Sequence, residues 1–109
     1  MSETNFEYIG NELDVFQYAT NWKRYWSRCL KPFLGSDILE VGAGLGINTK
    51  LLCNPSYNQW LAIEPDNNMI TDLTNQQEAG VFPDNCEFRE TTIQSLLDTE
   101  LFDTIMYID

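Results

Sequence analysis

The chain contains no histidine, and its three cysteines, Cys29, Cys53 and Cys86, form no C-x-x-C pair. A zinc site would therefore be short of ligands. An odd number of scattered cysteines reads as buried, inert thiols in a reducing compartment rather than a disulfide framework. Positive charge is equally scarce. Six Lys and Arg stand against 17 Asp and Glu, giving a formal net charge of −11. Phosphate backbones are held by clustered cations, so this balance argues against nucleic acid as a partner. Lys23, Arg24, Arg28 and Lys31 do lie close together, as a local basic face or as the solvated side of one helix. No apolar run approaches the length of a membrane span, and the acidic, polar N-terminal residues do not resemble a signal peptide. The expectation is a cytoplasmic protein with no membrane partner. Repeats and low-complexity stretches are absent too. What is present, 109 residues with 43% hydrophobic and 13% aromatic content, is the composition of one globular domain with a modest core.

The most informative stretch is Asp37-Ile38-Leu39-Glu40-Val41-Gly42-Ala43-Gly44-Leu45-Gly46. Ile38, Leu39 and Val41 suit a strand buried on both faces, as in a parallel sheet. The three glycines permit backbone angles that other residues resist, and they let a ligand lie against the main chain. A helix from about Ile47 would aim unpaired N–H groups at that ligand. The dinucleotide fingerprint G-x-G-x-x-G requires a third glycine where this chain has Ile47. No Gly-Lys-Ser/Thr follows, so a P-loop is excluded. The spacing here is G-x-G-x-G, with Glu40 two residues before the first glycine. An ordinary glycine-rich strand-to-helix turn is the plain alternative.

A second acid-bearing run, Gln59-Trp60-Leu61-Ala62-Ile63-Glu64, ends about 20 residues after the glycine turn. At that distance in doubly wound sheets, an acid accepts hydrogen bonds from ribose hydroxyls. A carboxylate can take both because it has two acceptor oxygens. Glu64 could equally sit at the start of the next helix, with Pro65 in the first turn.

Along the chain, residues 1–10 read as a lead-in. From about Glu12 to Lys31, the residues Val15, Phe16, Ala19, Trp22, Trp26, Cys29 and Leu30 recur at helical steps, and Pro32 and Gly35 stop them. This aromatic stripe reads as packing against a sheet; Tyr8 or Tyr18 covering a ligand is the functional alternative. Strand and helix then alternate strictly. Strands are predicted over 38–41, 59–63, 86–89 and 104–108, with helices near 46–53 and 66–78 and a short helical turn near 93–97. Such alternation implies parallel pairing with right-handed crossovers and an open α/β sheet. Thr91-Thr92-Ile93 falls at the carboxyl edge, where such sheets bind ligands; Thr92 could instead cap the following turn.

In order and spacing, residues 37–109 resemble the first half of the class I S-adenosylmethionine-dependent methyltransferase fold, a Rossmann-like open parallel sheet. Motif I corresponds to Glu40, Gly42, Ala43, Gly44 and Gly46, the ribose acid to Glu64 with Pro65 beside it, and the adenine corner to Thr92 and Ile93. The resemblance implies S-adenosyl-L-methionine as cofactor and a sheet of order 3-2-1-4-5-7-6, of which strands 1 to 4 are here. It also implies that Glu40 and Asp109 favour the cofactor's ammonium while the glycine turn holds its methionine part. The implied reaction is methyl transfer to a small-molecule or protein acceptor, with no metal and no general base supplied by these residues. A non-catalytic S-adenosylmethionine-binding module is the competing reading; a nicotinamide-dependent oxidoreductase is disfavoured by Ile47 and by the placement of Glu40. The strand at 104–108 would be an apolar edge calling for cover from a further half of the protein or from a dimer partner.

Overall fold

The computed structural model describes residues 21–96 and 98–108. The chain divides into two compact units, Met1–Pro32 and Phe33–Asp109. In the first, residues 21–30 form a helix, α1. Trp22, expected in a packed stripe, is 63% exposed and stacks on Tyr25 with ring centroids 5.7 Å apart. The rest of the predicted 12–31 stripe, and both Tyr8 and Tyr18, lie outside the described residues.

The second unit is a four-stranded parallel sheet in the order β3-β2-β1-β4, built from β1 (Asp37–Val41), β2 (Gln59–Ile63), β3 (Cys86–Arg89) and β4 (Thr104–Tyr107). Two helices, α2 (Ile47–Leu52) and α3 (Asn67–Glu78), lie in the crossovers from β1 to β2 and from β2 to β3. A 3₁₀ turn over Ile93–Ser95 replaces the longer helical turn predicted there. Parallel pairing needs crossovers of this kind, and apolar residues on both faces are what let the strands be covered twice.

Register divides the side chains between the faces. Ile38 aligns with Trp60 and Cys86, and Leu39 with Leu61 and Ile105. One face carries Leu39, Leu61 and Ile63, packed under Val41, Ile93, Leu96 and Phe102. The other carries Ile38, Glu40 and Trp60, toward which α2 turns the fully buried Thr49. Leu52, Trp60 and Leu73 are wholly buried; burial of a large apolar side chain of this kind contributes roughly 1.5–3 kcal/mol.

Polar ties close the ends of the strands away from the glycine turn. The Asp103 carboxylate accepts from the backbone N–H groups of Ser36 and Asp37 at 2.8 and 3.0 Å, joining the starts of β4 and β1. Gly35 lies so close to that carboxylate that no Cβ would fit. The Asn85 amide donates to the carbonyls of Asn54 and Tyr57 at 2.9 and 2.8 Å, joining the start of β3 to the loop after α2. Among the described residues β4 is a sheet edge, with Ile105 and Tyr107 exposed. No helix among the described residues is long and apolar enough to cross a membrane.

Chain order reverses between β1 and β4. At such a point the crossovers leave on opposite sides and open a crevice at the carboxyl ends of the strands. The glycine turn stands at that crevice.

Candidate functional site

The turn after β1 is anchored from below by one carbonyl. Ile63 O, at the end of β2, accepts from the N–H groups of both Gly42 and Ala43, at 2.9 and 3.1 Å. Beyond that anchor the chain needs left-handed backbone. Gly46 adopts φ 80° as the residue preceding α2, and a Cβ there would lie 2.6 Å from Leu73 Cδ2 and 3.0 Å from Phe82 Cζ. Gly44 also has positive φ, 56°, but a Cβ on it would meet nothing within 4 Å. The two glycines thus serve different ends. Gly46 lets the turn press onto α3, and Gly44 leaves the outer side of the turn open to a ligand.

Glu64 meets this turn directly. Its Oε1 accepts from the Gly44 N–H at 2.9 Å, and its Oε2 accepts from the Asp66 N–H at 3.1 Å. The Glu64 N–H in turn donates to Arg89 O at 3.1 Å, so the ends of β1, β2 and β3 meet at this one residue, through its side chain and its backbone. The side chain is only 9% exposed. Each oxygen has one amide donor and keeps acceptor capacity for another. Asp66, not Pro65, begins the helical structure here. It caps α3 by accepting from the Met69 N–H at 3.0 Å, so Pro65 precedes the cap and lies outside the first turn. The signal for this cap was an Asp directly before a helical run.

Glu40, which the resemblance implies favours a ligand's ammonium, lies beneath the turn and is 1% exposed. Its Oε1 accepts from Thr49 Oγ1 at 2.5 Å and from Trp60 Nε1 at 3.1 Å, which links β1, α2 and β2. Burial raises the Glu40 pKa above its ordinary value, and the two hydrogen bonds pull it back only in part. A charged acceptor in such a place demands donors from its own fold, and the indole N–H and the hydroxyl supply them. Neither partner could be assigned from spacing alone, because their proximity depends on the β1–β2 register and the rotation of α2.

At the third corner, Thr92 is exposed and extended, with φ −112° and ψ 164°. It occupies the capping position of the 3₁₀ turn but makes no side-chain cap; its hydroxyl donates to Ser95 Oγ at 3.1 Å. Ile93 packs into the Leu39–Leu61–Ile63 cluster, forming a floor beside that corner. Asp109 lies outside the described residues. Among the described residues no group of three or more Cys, Asp or Glu side chains is arranged to hold a metal ion.

Solved structures share this fold. The chain is similar to an N-methyltransferase, NodS, from Bradyrhizobium japonicum, with 20% identity over 79% of this chain and 47% of that one, and a TM-score of 0.62. A dimethyladenosine transferase from Plasmodium falciparum matches with 24% identity over 76% of this chain and 30% of that one, at 0.59. An S-adenosylmethionine-dependent methyltransferase from Clostridium acetobutylicum matches with 21% identity over 81% of this chain and 35% of that one, also at 0.59. The chain has the class I methyltransferase fold. It spans less than half the length of each of these three proteins. No family model matches the sequence, and no curated protein does.

Proposed function

We propose that this chain carries the cofactor-binding half of an S-adenosylmethionine-dependent methyltransferase acting on a small-molecule or protein acceptor. The observation that carries the proposal is the Glu64 carboxylate beside the open glycine turn. Two backbone amides, one on each oxygen, fix the plane of the carboxylate. The remaining lone pairs suit two neighbouring hydroxyls, which is what a ribose presents. Its preset orientation means that a ribose need not spend binding energy ordering a flexible side chain.

The cofactor's other parts have matching surfaces. The side of the turn left open at Gly42 and Gly44 accepts a chain lying against the backbone, as the methionine portion would. The Ile93 floor and the exposed Thr92 hydroxyl suit a flat base with a polar edge. Buried Glu40 supports the turn from beneath through Thr49 and Trp60, so its role here is positioning. Bound in this place, S-adenosylmethionine supplies an electrophilic sulfonium methyl that an acceptor atom displaces in line. The contribution of these residues is orientation and electrostatics, with no proton taken up or released by them. An acidic domain also suits a cofactor carrying positive charge, while −11 disfavours a nucleic-acid acceptor.

Calorimetric titration of the full chain with S-adenosylhomocysteine and, separately, NADH tests the proposal. The expected result is binding of S-adenosylhomocysteine alone, weakened by about 1–3 kcal/mol in Glu64→Ala through loss of hydrogen bonds to a charged acceptor. Binding of NADH alone would refute it.

A further inference from the structure

Helix α1 has an inner side and an aromatic side that stands in water. Ser27 is buried, with its hydroxyl donating to Arg24 O at 2.9 Å, and Trp26 and Leu30 are half-buried. Trp22, Tyr25 and Cys29 recur at steps of three and four, so they share one side. Trp22 is 63% and Tyr25 55% exposed, and Cys29, expected among the buried thiols, is exposed with them. Single exposed apolar residues are ordinary on a folded surface, but a Trp and a Tyr stacked on each other make a contiguous patch. Cations flank it. Arg24 and Arg28, four residues apart, are exposed, and exposed Lys31 follows in the 3₁₀ turn Lys31–Phe33. Residues 15–36 contain no Asp or Glu and hold four of the six basic residues, in a chain of net charge −11. Among the described residues the ion pairs are made by Arg89, so no carboxylate there neutralises Arg24, Arg28 or Lys31.

We propose that this side of α1 is a peripheral membrane contact. Trp22 and Tyr25 seat at the interface of a bilayer bearing anionic phospholipid, and Arg24, Arg28 and Lys31 meet its phosphates. The length criterion that rules out a span does not apply, because an interfacial helix lies along the surface and buries only one side. Trp and Tyr suit that depth, with an apolar body for the acyl boundary and an N–H or O–H for the headgroups. Arg and Lys lay apolar stems along the same boundary while their charged heads reach anions. Charge complementarity selects an anionic bilayer over a neutral one, since cations are drawn to it within a Debye length of about 8 Å at physiological salt. The same screening limits the reach of repulsion from the acidic remainder of the chain. Nucleic acid would attract these cations too, but base stacking needs open ring faces. Here the two rings, 5.7 Å apart and inclined by 24°, cover one face of each other. A bilayer makes no such demand. None of this rests on the cofactor reading.

The test is sedimentation of the full chain with vesicles of phosphatidylcholine alone, or of phosphatidylcholine mixed with phosphatidylserine, in low and high salt. The expected result is binding to the mixed vesicles in low salt, little to the neutral ones, and release as salt rises. Arg24→Gln combined with Arg28→Gln should weaken binding by roughly 30-fold, at about fivefold for each cation removed from an anionic surface. Trp22→Ser combined with Tyr25→Ser should weaken it several-fold and leave its salt dependence unchanged. All four positions are exposed, and circular dichroism checks that each variant keeps its helix and sheet. In the unaltered chain tryptophan emission should shift to the blue on binding; Trp60, already wholly buried, does not contribute. No sedimentation with either vesicle would overturn the proposal, as would equal binding to both or binding that survives loss of the two arginines. Retention of polyuridylate in place of vesicle binding would overturn it in favour of nucleic acid, and salt-sensitive self-association in its place would do so in favour of a second copy of the chain.

Discussion

Replacing Thr49 by Val probes the support beneath the glycine turn with little change of shape. Thr49 is wholly buried, and its hydroxyl donates to Glu40 Oε1 at 2.5 Å. Valine fills the same space, so no cavity accompanies the loss of the donor. A hydrogen bond to a charged group is worth about 1.5–3 kcal/mol. Trp60 Nε1 still donates to the same oxygen at 3.1 Å, which keeps the carboxylate from being orphaned and sets the expected loss near the lower end, about 1.5–2 kcal/mol. The loss should depend on pH. Burial raises the folded-state pKa of Glu40, and the Thr49 bond opposes that rise. Stability from Glu40 is therefore fully present below its unfolded pKa and declines as pH rises through the folded value. Without the hydroxyl the decline is steeper, because ionised Glu40 has lost the donor that favours it. Urea unfolding followed by the fluorescence of the tryptophans should show the Thr49→Val deficit growing from pH 4 to pH 7. A deficit under about 0.5 kcal/mol at pH 7, within the range of an ordinary surface substitution, would refute the reasoning. So would a deficit that is the same at both pH values.

Gly44 and Gly46 should respond differently to a methyl group. Gly46→Ala combines left-handed strain of about 1–2 kcal/mol with contacts of 2.6 and 3.0 Å to Leu73 and Phe82. It should lower stability clearly more than Gly44→Ala, where only the strain applies; comparable urea midpoints would contradict this. In the ligand titration the order should reverse relative to stability cost, because a methyl on Gly44 occupies the open side where a ligand would lie. Asp103 has its pKa lowered, first by the Ser36 N–H and next by the Asp37 N–H. Its contribution is present above the unfolded carboxylate pKa and lost as pH falls through the folded value. Asp103→Asn should therefore flatten the acid limb of a stability–pH curve and leave its slope above pH 5 unchanged.

Much of the fold was legible because its signals are local. Apolar runs such as Ile38–Val41 and Trp60–Ile63, separated by helical segments, mark parallel strands, and all four predicted strands agree with the observed bounds to within about one residue. Glycine spacing located the turn, and the distance to Glu64 brought the second acid to it, as the Gly44–Glu64 hydrogen bond confirms geometrically. The roles that were harder to read depend on rotation and register. Glu40 lies at the right position in sequence, yet alternation along β1 turns its side chain toward α2, where Thr49 and Trp60 claim it. Nothing local distinguishes a carboxylate that faces a ligand from one that braces the turn beneath it. Asp66 was overlooked as the cap of α3 because Pro65 offered a competing start signal.

The sharpest test of the account compares S-adenosylhomocysteine with its 2′-deoxy analogue by calorimetry on the full chain. If Glu64 reads a pair of neighbouring hydroxyls, removing one should weaken binding by about 1–3 kcal/mol, and Glu64→Ala should erase most of that difference. Equal affinity for the two ligands in the unaltered protein would contradict the assignment of Glu64 as the ribose-binding acid.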